Sequence, residues 1–221
     1  MSNESEKSTL RIEAFSDGVF AIAITLLVLE LKVPKPSELN GESLLFALRG
    51  EWHSYVAFLG GFGAILIMWF NHHMLFNYIR RVDTWMPYLN GFLLMTICVV
   101  PWPTALLAEY WGDPQEKSAA IVFSGWMVLL AIAFNALWRY STHKGRLLAH
   151  DVDMTQVNKI TRQYSFGPIM YLVAFGLAFY NATASVMLCM VMAAFFTCSE
   201  AFDTRRLMKK RLKRETMNPE R

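Results

Sequence analysis

The residues of this chain whose types and spacing can do chemistry stand together at the start of its first apolar run. Arg11, Phe15, Ser16, Asp17 and Gly18 come first, and residues 19–31 follow with Thr25 and Glu30 as their polar members. An ionisable residue at membrane depth is costly and turns toward a partner in the protein interior. Asp17 therefore reads as an anchor between helices, with a proton-relaying carboxylate as the alternative. On a helical wheel with Ile22 at the origin and ~100° per residue, Phe15, Gly18, Thr25, Leu26 and Leu29 share the side of Ile22. Asp17 falls ~140° away on the same wheel, on a second face with Phe20 and Ile24. Arg11, Asn71, His72, His73 and Asn90 lie at similar depth and are candidate partners for Asp17, as is the neighbouring Trp69. By pattern alone the row Ile22, Leu26, Leu29 reads as helix packing or lipid contact, and a pore lining remains open.

Little else in the chain offers chemistry. His72 and His73 are adjacent, so they point ~100° apart on a helix and cannot hold one metal from one face. A hydrogen-bonding role at the inner end of the second span suits them better. Cys98, Cys189 and Cys198 lie in apolar runs without C-x-x-C spacing, which argues for buried free thiols over a disulfide framework or zinc site. There is no G-x-S-x-G, no H-E-x-x-H and no Walker motif. A carbonyl-lined Thr-Val-Gly-Tyr-Gly filter and a ladder of membrane-buried Arg residues are absent as well. An enzyme, a resident metal and an organic cofactor are thus not indicated.

The elements that must position these residues follow from composition. Of 221 residues, 54% are hydrophobic and only 18% charged, against roughly 25% charged in an average soluble domain. That excludes a disordered chain and an ordinary soluble enzyme, and it indicates an all-α polytopic membrane protein. Six apolar runs are candidate spans, at about residues 15–33, 55–72, 87–108, 119–138, 166–180 and 182–202, the fifth with a short apolar part. The fifth is the weakest, because Pro168 sits near its start, and its polar upstream segment can extend the helix out of the membrane. The first is not a cleaved signal, since Asp17 and Glu30 interrupt it and no small-x-small site follows. Pro101 and Pro103 should kink the third. The small-residue pairs Ala57/Gly61 and Gly60/Ala64 allow close approach in the second.

With the N terminus inside, seventeen Lys and Arg fall on the inner side and four on the outer. The positive-inside rule then puts both termini in the cytoplasm. The outer side has a net charge of −3, which concentrates cations, although outer loops that avoid Lys and Arg for topology alone give the same sign. The chain divides into an inner segment 1–14, a membrane domain 15–204 and a basic tail 205–221. The tail is suited to anionic lipid headgroups. The small overall net charge of +3 does not suggest nucleic acid.

The run Arg11-x-x-x-Phe15-Ser16-Asp17-Gly18, continued through Leu31 and joined by Trp69-Phe70-Asn71-His72-His73, resembles the R-x-x-x-F-S-D motif of the transmembrane protein 175 family. These are lysosomal and endosomal potassium channels with bacterial relatives. The resemblance implies a bacterial single-repeat member in the plasma membrane, a homotetramer with a central pore walled by the first helix of each subunit. It implies a hydrophobic constriction at Ile22, Leu26 and Leu29, flanked by the Thr25 hydroxyl, with potassium as the conducted ion. Arg11, Phe15, Ser16, Asp17 and Gly18 then belong to a hydrogen-bonding network between helices and subunits. A proton-coupled transporter using Asp17, His72 and His73, or a membrane scaffold, are the competing functions.

Overall fold

The computed structural model describes residues 2–39, 41–149 and 152–195. Among them all regular structure is helical, apart from one isolated bridge pairing Ile79 with Leu148. The order is α1 (Ser2–Leu26), a 3-10 turn (Leu27–Glu30), α2 (Leu44–Gly50), α3 (Trp52–Tyr78), α4 (Met86–Cys98), α5 (Pro101–Glu109), α6 (Glu116–Thr142) and α7 (Met154–Ala178). The apolar α8 (Ala182–Phe195) follows. Four stretches are long and apolar enough to cross a membrane: Thr9–Glu30, Trp52–Tyr78, Met86–Glu109 and Glu116–Gly145. They overlie the first four expected spans. α7 is long but begins in the polar segment after Asp153, whose side chain caps it by accepting from the Thr155 N–H at 2.8 Å. The end of the sixth expected span, Cys198 and the basic tail 205–221 lie outside the described residues.

The first span differs from its expected bounds at both ends. The helix starts at Ser2, so the inner segment is continuous with the span. The α-helix stops at Leu26, and a 3-10 turn carries the chain to Glu30. Pro34 keeps Val33 out of the α region, so the helix cannot run on to its expected end there. The tighter turn advances ~120° per residue rather than ~100°, so Leu29 sits farther round than an α-helical wheel places it.

Span three breaks where its prolines predict. Pro101 has no N–H to donate, and the ladder shifts to i→i−3 bonds, Val100 N to Ile97 O and Trp102 N to Val99 O, both 3.0 Å. Pro101 and Pro103 then occupy the opening turn of α5, where a missing N–H is harmless.

The helices sort into a bundle by their buried stripes. α6 packs most extensively on α7 and also on α4 and α5, and α1 packs on α3 and α4. α1 contributes Ser16, Phe20 and Ala23 to the interior, and Leu27, at the start of the 3-10 turn, continues that face. Gly61 on α3 lets this face approach closely. A Cβ there would stand 3.0 Å from a Leu27 methyl and 3.2 Å from the Thr104 methyl.

Candidate functional site

Two arrangements share α1. On its buried face, Ser16, Asn90 and His72 form a hydrogen-bonded chain across three helices. The His72 Nε2–H donates to Asn90 Oδ1 at 2.9 Å, Asn90 Nδ2 donates to Ser16 Oγ at 2.9 Å, and Ser16 Oγ donates to the Ile12 carbonyl at 2.8 Å. The direction follows from the donors available: an amide that gives its N–H to Ser16 has only its oxygen left for the histidine. All three side chains are buried. The ring of His72 is packed between Phe20, at 5.4 Å, and Phe76, stacked at 4.5 Å.

Asp17 lies one residue further round, half-buried between α1 and α3. It accepts from the indole N–H of Trp69 at 2.8 Å. Its turn toward a neighbouring helix was legible on the wheel, but its direct partner is Trp69, and Arg11, Asn71, His72, His73 and Asn90 do not bond to it. His73, one turn along α3 from Trp69, stacks on that indole and pairs instead with Glu13 on α1, Nδ1 to Oε1 3.2 Å. Glu13 sits one turn before Asp17, on the side facing α3. That i, i+4 acidic pair opposite Trp69 and His73, also i, i+4, is the signal the sequence offered and the wheel of Asp17 alone missed. Asn71 points away from this network, into a cleft lined by α6 and α7.

On the opposite face of α1, the candidate stripe is largely uncovered by the described residues. Ile22 is 61% exposed, Leu26 43% and Leu29 74%. Phe15, Gly18, Thr25 and Arg11 are exposed with them. The Thr25 hydroxyl hydrogen is already committed to the Ile22 carbonyl at 2.9 Å, so only its oxygen lone pairs face outward.

A further polar hub ties the α3–α4 connection to the end of α6 and the connection after it. Asp83 accepts from the Tyr140 hydroxyl at 2.7 Å and from the backbone N–H groups of Met86 at 3.1 Å and Trp85 at 3.2 Å, while Arg146 stands at 3.3 Å. Partial burial alone would raise the Asp83 carboxyl, but these donors and the guanidinium outweigh it and hold the group below its ordinary value. Arg80 and Arg81 both donate backbone N–H groups to the Leu147 carbonyl beside this hub. Among the described residues no cluster of three His, Cys, Asp or Glu is placed to hold a metal ion.

Comparison with known proteins places this geometry. A potassium channel of Chamaesiphon minutus is 51% identical over 191 residues, covering 86% of this chain and 94% of that relative. The chain belongs to the TMEM175 family. The family model described as the endosomal/lysosomal potassium channel TMEM175 matches residues 11–101, a range that holds every residue of both arrangements from Arg11 to Asn90. The crystal structure of a lysosomal potassium-selective channel TMEM175 homolog from Chamaesiphon minutus superposes with a TM-score of 0.80 at 47% identity, covering 88% of this chain and 98% of that one. The endosomal/lysosomal proton channel TMEM175 of Gallus gallus is 37% identical over 135 residues, 58% of this chain but 27% of that relative. The family and these relatives are ion channels, not enzymes.

Proposed function

We propose that this protein is a potassium-preferring cation channel, in which α1 helices from several identical subunits wall a central pore. One observation carries the reading. The first span, α1 and the 3-10 turn after it, buries Ser16, Phe20, Ala23 and Leu27 against its own subunit and leaves Ile22, Leu26 and Leu29 largely uncovered by the described residues. Lipid would cover such a face equally well, and the potassium-channel relatives favour the pore. A single helix cannot enclose a pore, so closed cyclic symmetry supplies the other walls, with four copies as the family resemblance implies.

In this reading Ile22, Leu26 and Leu29 form a hydrophobic constriction. A ring of branched side chains sheds water and stops ions until it widens. The lone pairs of Thr25 replace part of the hydration shell of a passing cation. The Ser16–Asn90–His72 chain and the Asp17–Trp69 bond fix the rotation of α1, and so the direction in which the stripe points. α1, α3, α4 with α5, α6, α7 and α8 make six spans, which puts both termini on one side. The excess of inner Lys and Arg makes that side the cytoplasm of a bacterial plasma membrane, with the basic tail against anionic headgroups.

A proton-coupled transporter is the second reading, on the strength of the buried Ser16–Asn90–His72 chain. The two separate by kinetics. Reconstituted liposomes are compared for uptake of potassium, sodium, protons and a large organic cation, with single-channel recording in parallel. Stepwise potassium current that exceeds sodium and excludes the organic cation supports the channel. Saturable flux that vanishes without a proton gradient overturns it.

A further inference from the structure

A cleft between α3, α6, α7 and α8, on the far side of α3 from the stripe, has no part in the arrangement described so far. It is a shallow cleft with about 520 Å3 of atom-free space when its open surroundings are counted, so only part of a ligand fits within its walls. Its walls are apolar, formed by Met68 on α3, Leu130 and Phe134 on α6 and Gly167 on α7 among others, and no charged residue lines it among the described residues. Asn71, Tyr164 and Tyr171 are the polar side chains that line it. The Asn71 Oδ1 is buried without a hydrogen-bond partner. Tyr171 is only 9% exposed, and its hydroxyl makes no hydrogen bond to any described residue.

Polar groups among membrane-spanning helices are ordinarily satisfied, because hydrocarbon offers them nothing. Here an amide and a phenol, each able to donate and accept, face a common apolar space. An ionised ligand would be buried with no opposite charge to meet it. Water would satisfy the two polar groups and wet the apolar walls. We infer that this cleft binds a neutral amphiphile from the membrane, an uncharged hydroxyl-bearing head on an apolar chain, with the head held by Asn71 and Tyr171 and the chain against Met68, Leu130 and Phe134.

The test uses the full chain in liposomes doped with a long-chain alcohol that carries a diazirine on its chain. After irradiation, adducts are mapped by mass spectrometry. Adducts should concentrate on Met68 and Phe134. In Asn71→Leu and in Tyr171→Phe that labelling should fall at least about fivefold, as expected when one head-group hydrogen bond is lost. Labelling of the outward residues Leu172 and Val173, each more than half exposed, should stay unchanged in both variants. Unlabelled alcohol should compete, and its methyl ether should compete less well. Adducts spread over Leu172 and Val173 with no excess in the cleft would overturn the inference. So would cleft labelling that ignores both substitutions, or equal competition by the ether. Tyr171→Phe is the milder change and decides the matter if Asn71→Leu does not fold. The readout is independent of ion conduction, so its failure and that of the channel reading are separable.

Discussion

Asn90→Leu tests the buried hydrogen-bond chain most sharply, because it keeps the side-chain bulk and removes both bonds from the middle. Asn90 is 2% exposed, so nothing from solvent replaces what is lost. Ser16 loses a donor but still gives its own hydrogen to Ile12. His72 fares worse: its Nδ1 already lacks a partner, so the ring is left with no hydrogen bond. Side-chain hydrogen bonds within membrane bundles average ~0.6 kcal/mol by double-mutant cycles. The stranded imidazole N–H adds ~1–3 kcal/mol for a buried unsatisfied donor. The expected loss is therefore about 2–4 kcal/mol. Ser16→Ala, which removes one end of the chain only, should lose about 1 kcal/mol. Because the two residues share a bond, the double variant should lose less than the sum, by about 1 kcal/mol. Reversible unfolding in mixed micelles, read by circular dichroism and extrapolated to zero denaturant, measures all three. A loss under ~0.5 kcal/mol for Asn90→Leu, or strict additivity in the double variant, would refute the chain as a stabilising unit.

The other predictions use the same unfolding assay. Trp69→Phe strips the Asp17 carboxylate of its donor and should lose ~1.5–3 kcal/mol, whereas Asp17→Asn keeps an acceptor oxygen and should lose at most ~1 kcal/mol. Equal losses would mean that the Trp69–Asp17 bond is not what Trp69 contributes. The carboxyl of Asp83 is held low in the folded protein, so its contribution is present above the unfolded value of ~3.9 and is lost as pH falls through the lower folded value. Stability followed from pH 6 to pH 3 should therefore drop less steeply below about pH 4 in Asp83→Asn than in the unmodified protein, and parallel curves would exclude this role. A Cβ on Gly61 meets buried Leu27 and Thr104, while one on Gly60 meets only the mobile tip of Met190 at 3.1 Å. Gly61→Ala should thus be less stable than Gly60→Ala by ~1–3 kcal/mol, the helix-propensity gain being common to both.

The legible part of this fold came from signals that act locally. Apolar runs marked the first four spans, Pro101 and Pro103 marked the break between α4 and α5, and the 100° wheel turned Asp17 toward neighbouring helices and Ile22 to another face, whose surroundings the pattern left open. The rest depended on distance. A wheel gives the direction of Asp17 but not which atom on α3 reaches it, and only the long indole of Trp69 does. It gave His73 and Asn71 as partners because they are polar and at the right depth, yet one turns to Glu13 and the other away from α1 altogether. A wheel that assumes one α-helical step throughout cannot show the 3-10 turn that shifts Leu29. Asp83 drew no notice in the sequence because its partners, Tyr140 at the end of α6 and Arg146 just after it, are more than fifty residues away.

The central claim is that the unpartnered face of α1 limits ion flow. Potassium flux into liposomes is measured for the unmodified protein and for Ile22→Ala, Leu26→Ala and Leu29→Ala, each checked for folding and oligomeric state. Trimming a hydrophobic constriction should raise flux or weaken discrimination against sodium in at least one variant, and Ile22, on the regular part of α1, should respond. Flux and selectivity unchanged in all three, in correctly assembled protein, would contradict a pore walled by this helix.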